Sequence, residues 1–337
     1  MAKTFARLYK GGMQEPTQRI GLLISNLGSP DSPSVADVRK YLKQFLNDPY
    51  VIDIPWIIRY PFVNGIILPN RPKKSAEAYQ KIWTPDGSPL VTHTKNLCTK
   101  LKQKTSYPIE FGMRYGSPSI ETAVEKLVHQ AVNHIIFLPL YPQYSFSASE
   151  TAIREFEKVL KKYSGRITGK SVEYFYQQPS FIKAVAEKIK TASDTFQPDL
   201  ILLSYHGIPE KQVSKTKNKT NYRDQCFDTT KLLQEFLGYP ADKMVTTFQS
   251  RLGPIQWIKP YTDHILKELP KKGIKRILAV SPSFTADCLE TLEEIQLRYS
   301  EDFLAAGGEE FRYVPCVNSS DAFVESIQEI TRLNITE

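Results

Sequence analysis

Apolar residues in this chain gather in short runs, separated by stretches where they recur every three or four positions. The runs Gly21–Asn26, Glu110–Tyr115, Ile135–Tyr141 and Ser171–Tyr176 form a first set of four. Leu200–Tyr205, Met244–Gln249, Arg276–Pro282 and Phe311–Val317 form a second. Runs of this length, bounded by turn residues, predict strands buried on both faces. Helical spacing lies between most of them, at Val35–Phe45, Ile120–Val132, Ser149–Lys162, Ser180–Thr195, Cys226–Phe236, Trp257–Leu269 and Glu290–Tyr299. Strands alternating with helices predict parallel sheets joined by right-handed crossovers.

Two sets of four predict two similar α/β lobes, residues 20–178 and 179–321, hinged near Gln178–Ser180. The segment 322–337 adds a closing helix, Ala322–Leu333, that either lobe could receive. The duplication lies in the element pattern and not in residue identity. Asn47–Leu90 reads as an irregular stretch with seven prolines and with Trp56, Phe62 and Trp83. It is too apolar for disorder, so the expectation is a lid lining an apolar ligand site.

Composition changes little. The chain has 337 residues, 41% hydrophobic and 24% charged, as soluble globular proteins have. Its net charge of +8 is dispersed and argues only weakly for an anionic ligand, nucleic acid or membrane surface. Cys98, Cys226, Cys288 and Cys316 show neither CxxC pairing nor finger spacing, which predicts reduced thiols in a cytoplasmic protein. The basic N-terminus lacks the apolar run of a signal peptide. Val51–Leu68 comes nearest to a membrane span, but Asp53, Pro55, Arg59, Pro61 and Asn64 interrupt it. It is expected to touch a membrane surface at most.

Candidate chemistry sits at strand ends. In Leu200–Pro209, LILLSYHGIP, a buried strand runs into His206 and is broken by Gly207 and Pro209. That is the sheet edge at which open α/β folds hold ligands. Asp287, Glu290 and Glu294 follow another strand at spacings of three and four, which an α-helix would place on one face. Capping accounts for Asp287 but not for Glu294, so the row could carry a divalent cation inward or protons outward. No GxGxxG or GxxxxGK[ST] occurs, which excludes the usual nucleotide loops. The basic loop Lys211–Arg223 has a single aromatic residue, Tyr222, and reads as solvated, without nucleic acid. His93, His129, His134 and His264 lack paired ligand spacing and read as structural or exposed.

Several motifs together resemble the ferrochelatases, which insert ferrous iron into a porphyrin. They are SYHGIP, SRLGPIQW (Ser250–Trp257), SFTADCLETLEEI (Ser283–Ile295), NLGSPDSPSVADVRKYLKQFLNDP (Asn26–Pro49), GMRYGSPSIETAV (Gly112–Val124) and LYPQYS (Leu140–Ser145). The resemblance runs in order from about Gly21 to Ala322. It implies two Rossmann-like lobes of the chelatase fold, each with a four-stranded parallel sheet, and a porphyrin cleft between them. It implies His206 and Glu290 as catalytic and metal-binding residues, with Asp287 and Glu294 on a proton or metal path. Arg114, Tyr115, Tyr141, Trp257 and Phe284 match positions lining the macrocycle, and Arg71, Lys74 and Ser88 match positions that hold its propionates. The NLGSP opening is similar to the protoporphyrin-using branch.

Three departures stand out. Where animal members carry a cluster-ligating cysteine after PQYS, this chain has Phe146, and the sequence ends at Glu337 without their cysteine-bearing tail. No [2Fe-2S] cluster and a monomer are therefore expected. Cys288 stands where some members have histidine. The loop after SYHGIP is longer and more basic than usual. The resemblance implies protoporphyrin IX and Fe²⁺ as substrates, no required cofactor, and a cytoplasmic protein touching the inner membrane face through 47–90. The rival readings are a non-catalytic haem or metal carrier of the same architecture, and a chelatase for another metal or tetrapyrrole.

Overall fold

The computed structural model describes residues 18–213, 215 and 221–336. The N-terminal basic segment and part of the basic loop at 211–223 lie outside the described residues.

All eight apolar runs contain or adjoin strands, and each strand pairs in parallel. β1 (Ile20–Ser29), β2 (Ile109–Gly116), β3 (His134–Pro139) and β4 (Thr168–Ser171) make one sheet in the order β2-β1-β3-β4. β5 (Leu200–His206), β6 (Met244–Gln249), β7 (Arg276–Val280) and β8 (Glu310–Tyr313) make a second in the order β6-β5-β7-β8. The two orders are the same permutation, so the duplication expected from the element pattern is a duplication of topology. Helices flank both sheets: α1 (Val35–Leu46), α2 (Trp56–Pro61), α3 (Leu68–Ile82), α4 (Pro89–Lys104), α5 (Ile120–His129), α6 (Thr151–Lys161), α7 (Pro179–Phe196), α8 (Glu210–Val213), α9 (Tyr222–Leu237), α10 (Thr262–Glu268), α11 (Ser300–Ala305) and α12 (Asp321–Thr336).

Several boundaries differ from expectation, the main ones for identifiable physical reasons. The fourth strand is Thr168–Ser171, not Ser171–Tyr176. Its polar TGKS run is a sheet edge, and the apolar residues after it are a buried bend in which Phe175 N–H donates to the Pro142 carbonyl at 2.9 Å. β7 stops before Pro282 and β8 before Pro315, which cannot donate to a ladder. α10 begins at Thr262 rather than Trp257, because Pro260 blocks an earlier start. The largest difference is 47–90, which is mostly helical: α2 and α3 are joined by a π-helical turn, Phe62–Ile67. Pro69 sits in the first turn of α3, where no amide donor is needed, and the wide turn directly follows Pro61. α4 was not expected, although Leu90, Leu97, Cys98 and Leu101 carry its buried face.

One apolar core runs through both lobes. Leu22, Ile24, Ile136 and Leu138 of the first sheet belong to the same cluster as Ile201, Leu203, Leu278 and Val280 of the second. The closing helix α12 lies along α7, with Ser326 on Ser180 and Phe323 against Phe181, and also reaches the first lobe. Asp321 pairs with Lys100 at 3.0 Å, Gln328 Nε2 donates to the Lys104 carbonyl at 3.0 Å, and the Asn334 carbonyl accepts from Lys170.

Candidate active site

His206 is the last residue of β5, level with Gln249 at the end of β6. Its main chain is pinned on both sides. The amide donates to Ser283 Oγ at 3.1 Å, and the carbonyl accepts from Tyr222 Oη at 2.8 Å. The Phe284 ring meets the imidazole edge-on, 6.0 Å between centroids. Gly207 follows, and a Cβ there would stand 2.6 Å from the Gln249 carbonyl and 3.5 Å from the Trp257 ring. Only glycine lets the chain turn so close to β6, which brings Trp257 beside the histidine. Nδ1 of His206 is buried and has no hydrogen-bond partner. Leaving such a group unpaired costs about 1–3 kcal/mol, and a native fold keeps one where something else uses it.

The three carboxylates do not share one set of partners. Glu290–Tyr299 is π-helical, and Asp287 precedes it. Asp287 turns to the β8 side, accepting from Tyr313 Oη at 2.7 Å, Asn318 Nδ2 at 2.7 Å and Thr291 Oγ1 at 3.1 Å. Glu294 accepts from the Ser250 amide at 2.9 Å, Ser250 Oγ at 2.5 Å and Tyr299 Oη at 2.9 Å. It thereby clamps Ser250, a non-glycine residue at φ +65°, at the end of β6. Both carboxylates are buried and occupied. Glu290 is half-buried, and its carboxylate faces Arg71, Tyr41, Tyr79 and the Cys288 thiol. Burial, reinforced by that charge, holds Tyr41, Tyr79 and Cys288 protonated far above their ordinary values. Gln249 ties the halves together: its register partner is His206, and its Nε2 donates to the Glu290 carbonyl at 2.9 Å. The histidine and the glutamate thus belong to one strand-end cluster. Among the described residues, no group of three His, Cys, Asp or Glu is arranged to hold a metal ion.

On the first lobe, Asp48 is the hub. Its Oδ2 accepts from Arg114 Nη2 at 2.5 Å, Tyr115 Oη at 2.8 Å and Thr151 Oγ1 at 2.7 Å. The NDP of the sequence held no signal for this, because the partners lie 66 residues and more away in the chain. Tyr141 follows β3, and its buried hydroxyl has no partner; burial raises its pKa well above the ordinary value against the opposing pull of Arg114. Gln143 Oε1, Gln212 Oε1 and Ser281 Oγ are likewise buried and unpaired. With His206 these atoms all follow or end strands at the carboxyl edges of the two sheets, where a ligand would find them.

A family model described as Ferrochelatase matches residues 19–335. The chain belongs to the ferrochelatase family. A ferrochelatase of Coxiella burnetii (strain CbuK_Q154) is 40% identical, with 99% of each chain covered. One of Legionella pneumophila (strain Lens) is 45% identical over 93% of this chain and 98% of its own. One of Chromobacterium violaceum is 42% identical over 94% and 88%. Among solved structures, SirB from Bacillus subtilis with Fe³⁺ superposes with a TM-score of 0.59 at 15% identity, covering 94% of this chain and 95% of that one. A sirohydrochlorin chelatase SirB from Bacillus subtilis subspecies spizizenii, in complex with cobalt, gives 0.56 at 13% identity, covering 94% of each chain. These last two establish the chelatase fold. As a ferrochelatase, the protein is an enzyme that inserts iron into a porphyrin.

Not every expected porphyrin residue of this ferrochelatase reaches the surface. Tyr115 is 1% exposed, and its ring belongs to the core beneath α1. It supports Arg114, whose guanidinium lies 4.5 Å above it, rather than presenting a face of its own. Ser88 is buried at the start of α4, whereas Arg71 and Lys74 are exposed on α3. Arg71 stands within the field of Glu290. Trp257 is half-exposed, with its indole N–H on the Leu252 carbonyl at 2.9 Å.

Proposed function

We propose that the porphyrin is protoporphyrin IX, and that His206 and Glu290 work on it from the second lobe. Metallation must remove two pyrrole N–H protons and strip water from Fe²⁺, and a flat macrocycle resists because its nitrogen lone pairs point into the ring plane. A cleft that grips the ring between Phe284 and Trp257 on one lobe and Tyr141 and Arg114 on the other can hold it puckered. Remote binding energy then distorts the reacting centre. His206 acts at the ring face, as proton acceptor or transient iron ligand, a double capacity that imidazole has near neutral pH. Glu290 is the partner with a carboxylate to spare, and it takes the released protons or hands in the metal. Asp287 and Glu294 are positioning residues in this scheme. Each carboxylate already accepts three or more hydrogen bonds, and using either as a metal stop would dismantle the β8 loop or the Ser250 turn.

The observation that carries this reading is the unpaired, buried Nδ1 of His206 at the strand end. The test is His206→Ala. Iron insertion into protoporphyrin IX should fall to near background while porphyrin binding, followed by fluorescence, persists. Full activity in the variant would remove His206 from the chemistry, and stoichiometric binding without turnover in the wild type would favour a carrier.

The enzyme is further proposed to work without an iron–sulfur cluster. Phe146, packed 4.8 Å from Tyr50, fills the position after PQYS, and the four cysteines are buried. Burial pushes the Cys98 thiol up to about 11 and raises the other three well above their ordinary value, whereas a metal needs thiolates. We also place it in the cytoplasm as a monomer that touches a membrane. No described helix is long and apolar enough to cross one. Trp56, Ile57, Ile58 and Ile66 are 58–76% exposed on α2 and the turn after it, an apolar patch of the sort that meets a bilayer surface.

A further inference from the structure

A depression of about 370 Å³ lies between α1 and α2, lined by Lys40, Lys43, Gln44, Asn47, Trp56, Arg59 and Tyr60. It shares no residue with the cluster around His206. Its chemistry is cationic on one wall and aromatic on the other. Arg59 is 7% exposed, yet no carboxylate faces it among the described residues; Nη1 donates only to the Ile54 carbonyl at 2.8 Å and the Ile52 carbonyl at 3.4 Å. A buried guanidinium without a counter-charge is costly, and the open side of the pocket is where that charge would come from. Lys43 is exposed at the rim and makes no ion pair within the described residues, while Lys40 is held by Asp31 at 2.8 Å. Trp56 and Tyr60 stack at 6.0 Å and an interplanar angle of 21°, forming the other wall.

We propose that this pocket binds the phosphate of an acidic membrane phospholipid. The proposal rests on the membrane contact inferred above and gives it a lipid preference. The short helix α2 supplies the apolar half and Arg59, and α1 adds Lys43. Ile57 and Ile58 are 76% and 58% exposed and would enter the acyl boundary, and Trp56 and Tyr60 would lie at the head-group level where such rings gather. Arg59 and Lys43 then meet the phosphate. A soluble phosphate offers the same oxygen atoms but leaves the adjoining apolar face uncovered.

Co-sedimentation with vesicles tests this, using phosphatidylcholine alone and phosphatidylcholine with one-third phosphatidylglycerol. Two cations near the surface predict roughly thirtyfold tighter binding to the acidic vesicles at low salt. Lys43→Glu, an exposed change, should lose most of that preference while iron insertion in detergent stays at the wild-type rate. Ile57→Gln with Ile58→Gln should weaken binding to both vesicles. Equal affinity for the two compositions, or a preference that survives Lys43→Glu, overturns the head-group site while leaving membrane contact standing. Binding to neither vesicle overturns the membrane reading itself. Inorganic phosphate is the remaining probe. If it binds at millimolar concentration in a Lys43-dependent way while the acidic vesicles gain no preference, the pocket belongs to a soluble anion and the proposal fails.

Discussion

Asp48 concentrates more of the first lobe's architecture than any other single side chain. It is buried and accepts from Arg114, Tyr115 and Thr151 at once, so one carboxylate aligns an arginine of the cleft, the ring beneath it and the start of α6. Replacing it with alanine leaves the Arg114 guanidinium, 14% exposed, with Glu155 at 4.0 Å as its nearest counter-charge. A loss of about 3–5 kcal/mol is expected for breaking such a pair from one side, readable as a lowered urea midpoint. Arg114→Ala should cost less, because Tyr115 and Thr151 still satisfy the carboxylate. Equal losses in the two variants would show that the hub is not centred on Asp48. His93 gives a pH dependence. Burial holds its imidazole below the ordinary value against the pull of Asp287. The unfolded chain therefore binds more protons between the two values. The stability linked to His93 is complete above about pH 6.5 and falls as the pH drops toward the folded value. His93→Gln should flatten the denaturation midpoint between about pH 7 and 5, and an unchanged slope would acquit it.

At the scale of elements, the sequence was most legible where burial and periodicity agree. Leu200–His206 is apolar throughout its first four residues, and β5 is almost wholly buried, so the run and the strand coincide. The fourth strand was illegible, because an edge strand of TGKS carries no hydrophobic signal. The carboxylate row was legible as residues and misleading as geometry. The spacing of three assumes that Asp287 lies on the helix, but the π-helix begins at Glu290, and Asp287 ahead of it turns to Tyr313 and Asn318 while Glu294 holds Ser250. A wide turn satisfies its main-chain bonds five residues back, which hydrophobic patterning does not encode. Glu294→Gln offers a test of what its dispersal is for. The amide can no longer accept from Ser250 as a charge does, so the end of β6 should loosen. A positioning role predicts a higher KM for porphyrin, with kcat falling less than in Glu290→Gln. A kcat loss in Glu294→Gln equal to that of Glu290→Gln would put Glu294 back among the reacting groups.

For the molecule as a whole, the alternation of strands and helices foretold two parallel four-stranded sheets, and the structure adds that their strand orders match. What the pattern could not convey is how the lobes join, since contacts between distant segments leave no periodicity. The boundary near Gln178–Ser180 had looked like a hinge. Yet Ile24 and Leu138 share one core with Ile201 and Leu278, and α12 ties back to α4 across 224 residues of chain through Gln328 and Lys104. Heat or denaturant should therefore unfold the protein in one cooperative transition, with tryptophan fluorescence and far-ultraviolet dichroism coinciding. Two separated transitions would mean that the lobes are independent after all.

That shared core also constrains how a product leaves. Haem is a rigid plate, and a two-jawed protein might be thought to release it by swinging the jaws apart. Here such a swing would tear open the apolar interior common to both jaws and strip α12 from its seat. That leaves opening to an awning, the segment between α1 and α3, whose outer face exposes Trp56, Ile57 and Ile58 and which carries no strand of either sheet. Turnover would then respond to substitutions in that awning far more than to any at the junction of the lobes.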